Sequence, residues 1–498
     1  MPGSGLDVTG ATLAELGLHQ APDPEIRSSG ICLNSGGAES GFLFAALPGS
    51  NRHGAEFAGE ALDRGAVAIL TDQCGAGIVA NSLAGTKAQL VVVENPHAEL
   101  ARVAARWFAA APATAVAVTG TNGKTSVVSM CRQIWQLLGR NAVSCGTLGI
   151  EGVYSARLQH TTPDPVTLHR HLAGMAAQGV SHVALEASSH GLAQYRLDGV
   201  ALSAAAFTNL THDHLDYHVD EKSYFNAKAG LFDRVLDPGA AAVICTGSPY
   251  GTDMAAIAAA RGQRVLTIGG TGADIEMLAQ RAAGTGQSVR FSWEGGQHQI
   301  SLGLIGEFQA WNLLTAVGLV IAAGEDPEAV IAVLDQIRPV PGRMQLAARR
   351  ENGAAVFVDY AHTPDALQAS LSALRQHCLG RLVVLFGAGG DRDRKKRPAM
   401  GGVAQTEADA VIITDDNPRN EDPASIRSEI LGACRDCLEV GDRAEAILRG
   451  VAMLGPGDVL LVAGKGHESG QEIAGVTHPF DDVEQASMAA HILDGQGA

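Results

Sequence analysis

Short apolar runs alternate with longer stretches of helical spacing along most of the chain. Near the start, Gly41-Phe-Leu-Phe-Ala-Ala-Leu-Pro-Gly49, Gly65-Ala-Val-Ala-Ile-Leu70 and Leu90-Val-Val-Val-Glu94 predict short buried strands around a helix over 55–64. Asn95-Pro96 is a turn signal, followed by a helical segment over 98–110. A stronger pattern then opens, with strands predicted at 115–119, 181–186, 201–208 and 240–245 and helices at 125–138, 166–178 and 222–235. Alternation of this kind implies a parallel sheet covered by helices. Arg338-Pro-Val-Pro-Gly342 marks the next boundary. Four more apolar runs follow, at 354–359, 381–386, 410–414 and 458–462, each leading into a polar or glycine-rich loop. The pattern divides the chain into three α/β domains, 1–96, 97–338 and 339–498, with no internal repeat.

Length agrees with that division, because 498 residues correspond to about three domains at roughly 150 residues each. Hydrophobic residues at 46% and charged residues at 18% are ordinary globular usage, so disorder and coiled coil are excluded. The 60 glycines are an excess over the usual share of roughly 7%, and point to turns and loops where backbone approaches a ligand. A net charge of −17 has the wrong sign for a protein whose main partner is nucleic acid or an anionic membrane. The scattered cysteines, including Cys434-Arg-Asp-Cys437 in a helical pattern, read as reduced thiols. The start, Met1-Pro-Gly-Ser-Gly-Leu-Asp, lacks a signal-peptide pattern, and no apolar run reaches membrane-spanning length. A cytoplasmic, monomeric protein is expected.

Three motifs carry chemistry. Thr119-Gly-Thr-Asn-Gly-Lys-Thr-Ser126 lies between a buried strand and a helix. There the backbone N–H groups of Gly120, Thr121, Asn122, Gly123 and Ser126 can cradle phosphate, Lys124 can hold the β/γ-phosphates of ATP, and Thr125 can bind Mg²⁺. The usual first glycine of such a loop is Val118 here. Glu186, in Leu185-Glu-Ala-Ser-Ser-His190, ends a strand on the same rim and suits Mg²⁺. Asn209-Leu-Thr-His-Asp-His-Leu-Asp-Tyr-His218 clusters histidine and aspartate beside it. A dedicated zinc site is the weaker reading there, since Mg²⁺ on ATP takes few protein ligands.

These motifs, with Phe225-Asn-Ala-Lys-Ala229, Pro341-Gly-Arg-Met344 and Val358-Asp-Tyr-Ala-His-Thr-Pro-Asp365, occur in the order of the Mur ligase family, which the chain resembles over nearly its whole length. Members are ATP-dependent amide-forming enzymes of peptidoglycan precursor synthesis. The resemblance implies a small N-terminal α/β domain, a central P-loop parallel-sheet ATPase domain and a C-terminal Rossmann-like α/β domain. It implies that Lys228 is carbamylated and joins Glu186 and His214 around magnesium. Taken alone, a lysine in that helical pattern would be a surface charge. Arg343 and Asp359 resemble nucleotide contacts from the third domain, and Asn312 an adenine contact, with Gln309 where another Asn is often found. Leu33, Ser35, Ser50, Asn51 and Arg52 resemble positions that hold the UDP end, and Thr161, Thr162, Ser188, Gln194 and Arg196 those that hold the muramoyl-dipeptide arm.

Three strand ends of the third domain carry Gly389-Gly-Asp-Arg-Asp393, Asp415-Asp-Asn-Pro-Arg419 and Ala463-Gly-Lys-Gly-His-Glu468. Arginine forks suit a carboxylate and a glutamate suits an ammonium, so this rim suits an amino acid with a second zwitterionic end. Asp416-Asn-Pro-Arg419 is similar to the signature of family members that add meso-diaminopimelate to UDP-N-acetylmuramoyl-L-Ala-D-Glu. In those, residues matching Arg392, Asp416, Asn417, Pro418, Arg419, Gly464 and Glu468 form the site. The run Arg392-Asp-Arg-Lys-Lys-Arg397 reads as a solvated helix start with Arg392 turned inward. The alternatives are a lysine-adding relative, a folate-polyglutamate ligase and a non-catalytic P-loop scaffold.

Overall fold

A computed structural model describes residues 10–49, 51–211, 217–284 and 286–495. Apolar strands drive three main sheets, which follow one another along the chain. The first has four parallel strands in sequence order, Gly30–Cys32, Phe42–Ala45, Ala68–Thr71 and Gln89–Val92. Helix Pro96–Phe108, capped by the Asn95 side chain on the Ala98 N–H, covers it. That helix begins at the turn expected to close the first domain.

The central sheet has ten strands. Its parallel core holds Thr114–Thr119 between His182–Glu186 and Ala204–Phe207, with Ala142–Gly146 outside the former and Ala241–Cys245 and Arg264–Gly269 outside the latter. Successive residues of Thr114–Thr119 feed opposite cores. Val116 and Val118 pack with helices Lys124–Leu137 and Glu307–Ala322, whereas Ala115 and Ala117 face the layer of helix Pro165–Ala177. The sheet is not purely parallel as expected. Gly149–Gly152 adds antiparallel at one edge. At the other, Ile275–Ala283 is parallel to its neighbour and starts a meander with Gly286–Trp293 and Gly296–Leu302. Helix Glu221–Gly230 continues as one wide turn, Leu231–Val235, in place of a single helix over 222–235.

The third sheet runs Gln345–Arg349, Ala355–Asp359, Val459–Ala463, Leu382–Phe386, Ala410–Ile413 and Leu438–Glu439, with only the first antiparallel. The loops after Asp359, Phe386, Ile413 and Ala463 therefore leave one rim, where ligands of open α/β sheets bind. Helix Pro423–Leu431 ends before Cys434, with Gly432 as its C-cap. The helix expected through 434–437 is thus a turn, which sets the Cα atoms of Cys434 and Cys437 5.9 Å apart and pairs them as a disulfide rather than as free thiols. Among the described residues no helix is long and apolar enough to cross a membrane.

Candidate active site

The strand Thr114–Thr119 delivers Gly120 with φ +151° and Gly123 with φ +91°, conformations that L side chains rarely adopt. A Cβ on Gly123 would lie 2.3 Å from Asn312 Oδ1, so glycine there lets the loop meet helix Glu307–Ala322. The loop is braced from the next strand end: Asn122 N–H donates to Asn209 Oδ1 at 2.9 Å, and Thr208 Oγ1 donates to the Asn122 carbonyl at 2.6 Å. Helix Lys124–Leu137 begins directly after it, and Lys124, Thr125 and Ser126 of its first turn line a cavity. Lys124 Nζ donates to the carbonyls of Gly120 and Thr121, both at 2.8 Å. Lys228 Nζ donates to the same Gly120 carbonyl at 2.8 Å and lies 4.3 Å from the Tyr224 ring centre. Lys228 is 1% exposed, so it is a buried side chain and not the surface charge its helical pattern alone suggests.

Glu186 pairs in register with Val118, one strand away, and is 2% exposed. Its carboxylate accepts the Thr147 N–H at 2.8 Å and the Thr147 hydroxyl at 3.1 Å. Thr147 Oγ1 lies 3.1 Å from Thr161 Oγ1. Thr162 Oγ1 donates to the Glu186 carbonyl and accepts the Ser188 N–H, while Arg196 donates to the Thr162 carbonyl and the Gln194 side chain. Thr161, Thr162, Ser188, Gln194 and Arg196 therefore form one connected patch beside Glu186. Among the described residues no group of three or more His, Cys, Asp or Glu could hold a metal ion. His214, with most of its cluster, lies outside the described residues.

Residues of the third domain complete the cavity. Arg343 Nη2 donates to Thr125 Oγ1 at 3.1 Å, and its guanidinium carbon stands 4.2 Å from the Tyr360 ring centre. Asp359 accepts the N–H groups of Met344 and Ala361 and the Ser370 hydroxyl, which fixes the loop that carries Arg343. Burial pushes the Asp359 carboxyl up, against the pull of the Arg343 charge. Asn312 Nδ2 donates to Gln309 Oε1 at 3.3 Å, so the Asn and the Gln act as one buried pair. The resulting cavity, about 960 Å³, is lined by Thr121–Ser126, Glu186, Lys228, Asn312, Arg343, Asp359 and Arg392 among others.

On the amino-acid rim, Arg392 and Arg419 meet over Gly389: a Cβ there would lie 2.8 Å from Arg419 Nη1 and 3.7 Å from Arg392 Cγ. Arg419 Nη1 donates to the Gly390 carbonyl at 2.8 Å, and its Nε lies 3.2 Å from Glu472. Glu468 accepts from Asn417 Nδ2 at 2.8 Å and from buried Lys465 Nζ at 3.1 Å. Asp416 Oδ1 accepts the Asn417 N–H, and Asp416 Oδ2 lies 2.5 Å from where a Gly464 Cβ would be. The Pro418 carbonyl accepts the Glu421 N–H. Of these residues the cavity lining includes Arg392. Only part of the basic run is solvated, because Arg397 is 0% exposed and ion-paired with Glu421 and Glu429.

In the first domain, Ser35 Oγ donates to Glu60 at 2.6 Å, Leu33 packs on the core of that sheet, and Arg52 pairs with Glu56 and stacks on Phe57 at 4.5 Å. Asn51 is exposed on the same turn, and Ser50 lies outside the described residues. None of Leu33, Ser35, Asn51 and Arg52 lines the cavity. Sequence reasoning passed over Thr147, Tyr360, Lys465 and His467. His467 packs 5.2 Å from Tyr360, and burial, with the Arg343 charge adding to it, pushes its imidazole down to about 4. Its position within Gly464–Glu468 was the available signal. Thr147 had none, because the strand before it went unread.

Three family descriptions match in order: Mur ligase family, catalytic domain, at 27–108; Mur ligase middle domain at 118–320; and Mur ligase, glutamate ligase domain, at 342–466. The UDP-N-acetylmuramoyl-L-alanyl-D-glutamate--2,6-diaminopimelate ligase of Caulobacter vibrioides is 47% identical over 95% of this chain and 97% of its own. That of Bradyrhizobium diazoefficiens is 46% identical over 93% and 94%. A solved structure of a ligase of that name superposes with a TM-score of 0.69 at 32% identity, covering 98% of this chain and 100% of that one. Matches of this extent, spanning all three sheets, show the family: the chain belongs to the Mur ligase family.

Proposed function

We propose that the chain is an ATP-dependent amide ligase of peptidoglycan precursor synthesis, which joins meso-diaminopimelate to the D-glutamate γ-carboxylate of UDP-N-acetylmuramoyl-L-Ala-D-Glu. One observation carries the reading: a single cavity brings the phosphate loop, the patch beside Glu186 and Arg392 of the third domain into reach of one another. The names of the similar ligases agree with it.

A carboxylate is a poor electrophile, so the γ-carboxylate first attacks the γ-phosphorus of ATP and expels ADP. The resulting acyl phosphate is attacked by the amine of diaminopimelate, and the tetrahedral adduct expels phosphate. Lys124, exchanging its bonds to the Gly120 and Thr121 carbonyls for phosphate oxygens, and the N–H groups at the start of helix Lys124–Leu137 hold the transferred phosphoryl charge, whereas the Thr121 and Asn122 N–H groups are taken by Asn209. Arg343 closes over the loop at Thr125, Asp359 holds that arm, and Asn312 with Gln309 receives the base. Thr161, Thr162, Ser188, Gln194 and Arg196 orient the dipeptide arm, with the UDP end on Leu33, Ser35, Ser50, Asn51 and Arg52. Arg392 and Arg419 take the distal carboxylate of diaminopimelate, and Glu468 with Asn417 its ammonium; Asp416, Pro418 and Gly464 shape that loop.

Magnesium fits the donor set. Among the described residues, Glu186 offers a buried carboxylate braced by neutral Thr147 donors, and Thr125 offers a hydroxyl. A carbamate on Lys228, together with His214, completes the set. The Lys124 and Lys228 side chains share the Gly120 carbonyl, so a carbamate on Lys228 would set negative charge near Lys124. The bound ion would neutralise phosphate charge.

The test supplies ATP, the UDP-dipeptide and each of several amino acids, and follows phosphate release. Turnover with meso-diaminopimelate and not with L-lysine is expected. The reverse preference refutes the amino-acid assignment, and ATP binding without substrate-dependent hydrolysis refutes an enzyme.

A further inference from the structure

The arginine rim rests on a side chain that no proposed ligand touches. Arg397 is fully buried at the start of helix Lys396–Glu407. Its Nη1 donates to Glu421 Oε2 and Glu429 Oε2, both at 3.0 Å. Its Nη2 donates to Glu421 Oε1 at 2.8 Å and to the Gly389 carbonyl at 3.2 Å. Glu421 Oε1 also accepts the Asp391 N–H at 2.6 Å. One guanidinium thus ties the loop carrying Arg392 to the loop carrying Arg419.

Those loops need tying. Asp391 has φ +53° and Arg419 φ +51°; aspartate tolerates this left-handed backbone, but arginine does not favour it and keeps it where surroundings hold it. The loops also interlock, with the Gly390 N–H on the Asn417 carbonyl at 2.9 Å, and a Cβ on Gly390 would lie 1.9 Å from the Pro418 carbonyl oxygen. A buried ion network adds little net stability over apolar packing, so its use here argues for geometry. Lysine could not replace it, since a point charge cannot span four acceptor atoms on three residues.

We propose that Arg397 is a positioning residue that sets the selectivity of the amino-acid pocket. It holds the two loops in register so that Arg392 and Arg419 present paired forks to one carboxylate of the incoming amino acid. The proposal rests on the function inferred above.

The test is steady-state kinetics of the full chain at saturating ATP and UDP-dipeptide, with meso-diaminopimelate or L-lysine varied, for wild type, Arg397→Lys and Glu421→Gln. Arg397→Lys should raise the KM for diaminopimelate about tenfold or more, the loss expected for charge-assisted bonds misaligned at the carboxylate. The KM for ATP and the poor use of lysine should stay within about twofold on the same scale. Glu421→Gln should shift the same ratio in the same direction by less, and it carries the test should Arg397→Lys not fold. An unchanged KM for diaminopimelate, or an equal loss for ATP and both amino acids, overturns the proposal. Wild type that does not turn over diaminopimelate overturns instead the reading beneath it.

Discussion

The shared Gly120 carbonyl sets what the two lysines can do. Lys124 sits at a helix N-terminus and is held by the Gly120 and Thr121 carbonyls; Lys228 is buried against Tyr224. Removing Lys124 as Lys124→Met should lower kcat about 10²–10³-fold, the usual cost of one lost donor to developing charge, in the phosphate-release assay. Lys228→Ala should be inactive and partly rescued by short carboxylic acids that replace the carbamate; a folded variant without rescue would count against carbamylation. The phosphate loop and Glu186 were legible in the sequence because residue type and strand-end position define their chemistry. The burial of Lys228 was not, because nothing in Phe225–Ala229 says which face of the helix meets the loop. Acid stability is also decided by single residues. Burial pushes His169 and His467 both down to about 4, from an unfolded value near 6.5. Between those pH values the unfolded chain binds more protons, so stability falls as pH falls, by up to about 3 kcal/mol per histidine at pH 4. Urea unfolding at pH 7 and pH 4.5 should show the loss, and His169→Gln should lessen it.

At the scale of elements, the helix Glu307–Ala322 does two jobs. Its Leu313, Leu314, Ala316, Val317 and Val320 fill the core beneath the phosphate loop, and its Asn312 reaches the loop itself. Leu314→Ala should cost about 2–5 kcal/mol by thermal or urea unfolding, since the side chain is fully buried. Parallel strands were legible as unbroken apolar runs, Thr114–Thr119 and Val459–Ala463 above all. The meander Ile275–Leu302 was not, because one face is solvated and its alternation is interrupted by a register shift between Met277 and Ala279. Arg397 shows a related limit: five basic residues among six read as a charged surface, and the partner acids Glu421 and Glu429, 24 and 32 residues further along the chain, bury one of them.

For the whole molecule, the decisive contact is between sheets. Arg343 on Thr125 joins the third domain to the phosphate loop, and His467 and Tyr360 pack behind it. Arg343→Ala should raise the KM for ATP more than that for diaminopimelate, whereas Arg419→Ala should do the opposite; equal losses would make both residues structural. The three main sheets follow from the three groups of apolar runs. How closely the third domain approaches the central one had no counterpart in periodicity, because contacts between domains leave no local pattern. In the proposed reaction one cavity activates the dipeptide carboxylate by phosphorylation and passes it to diaminopimelate. The most direct test supplies UDP-dipeptide labelled with oxygen-18 in the D-glutamate γ-carboxylate, unlabelled ATP and meso-diaminopimelate, and weighs both products by mass spectrometry. The account predicts the diaminopimelate amide together with phosphate carrying one labelled oxygen per amide formed; amide with unlabelled phosphate, or no amide, would contradict it.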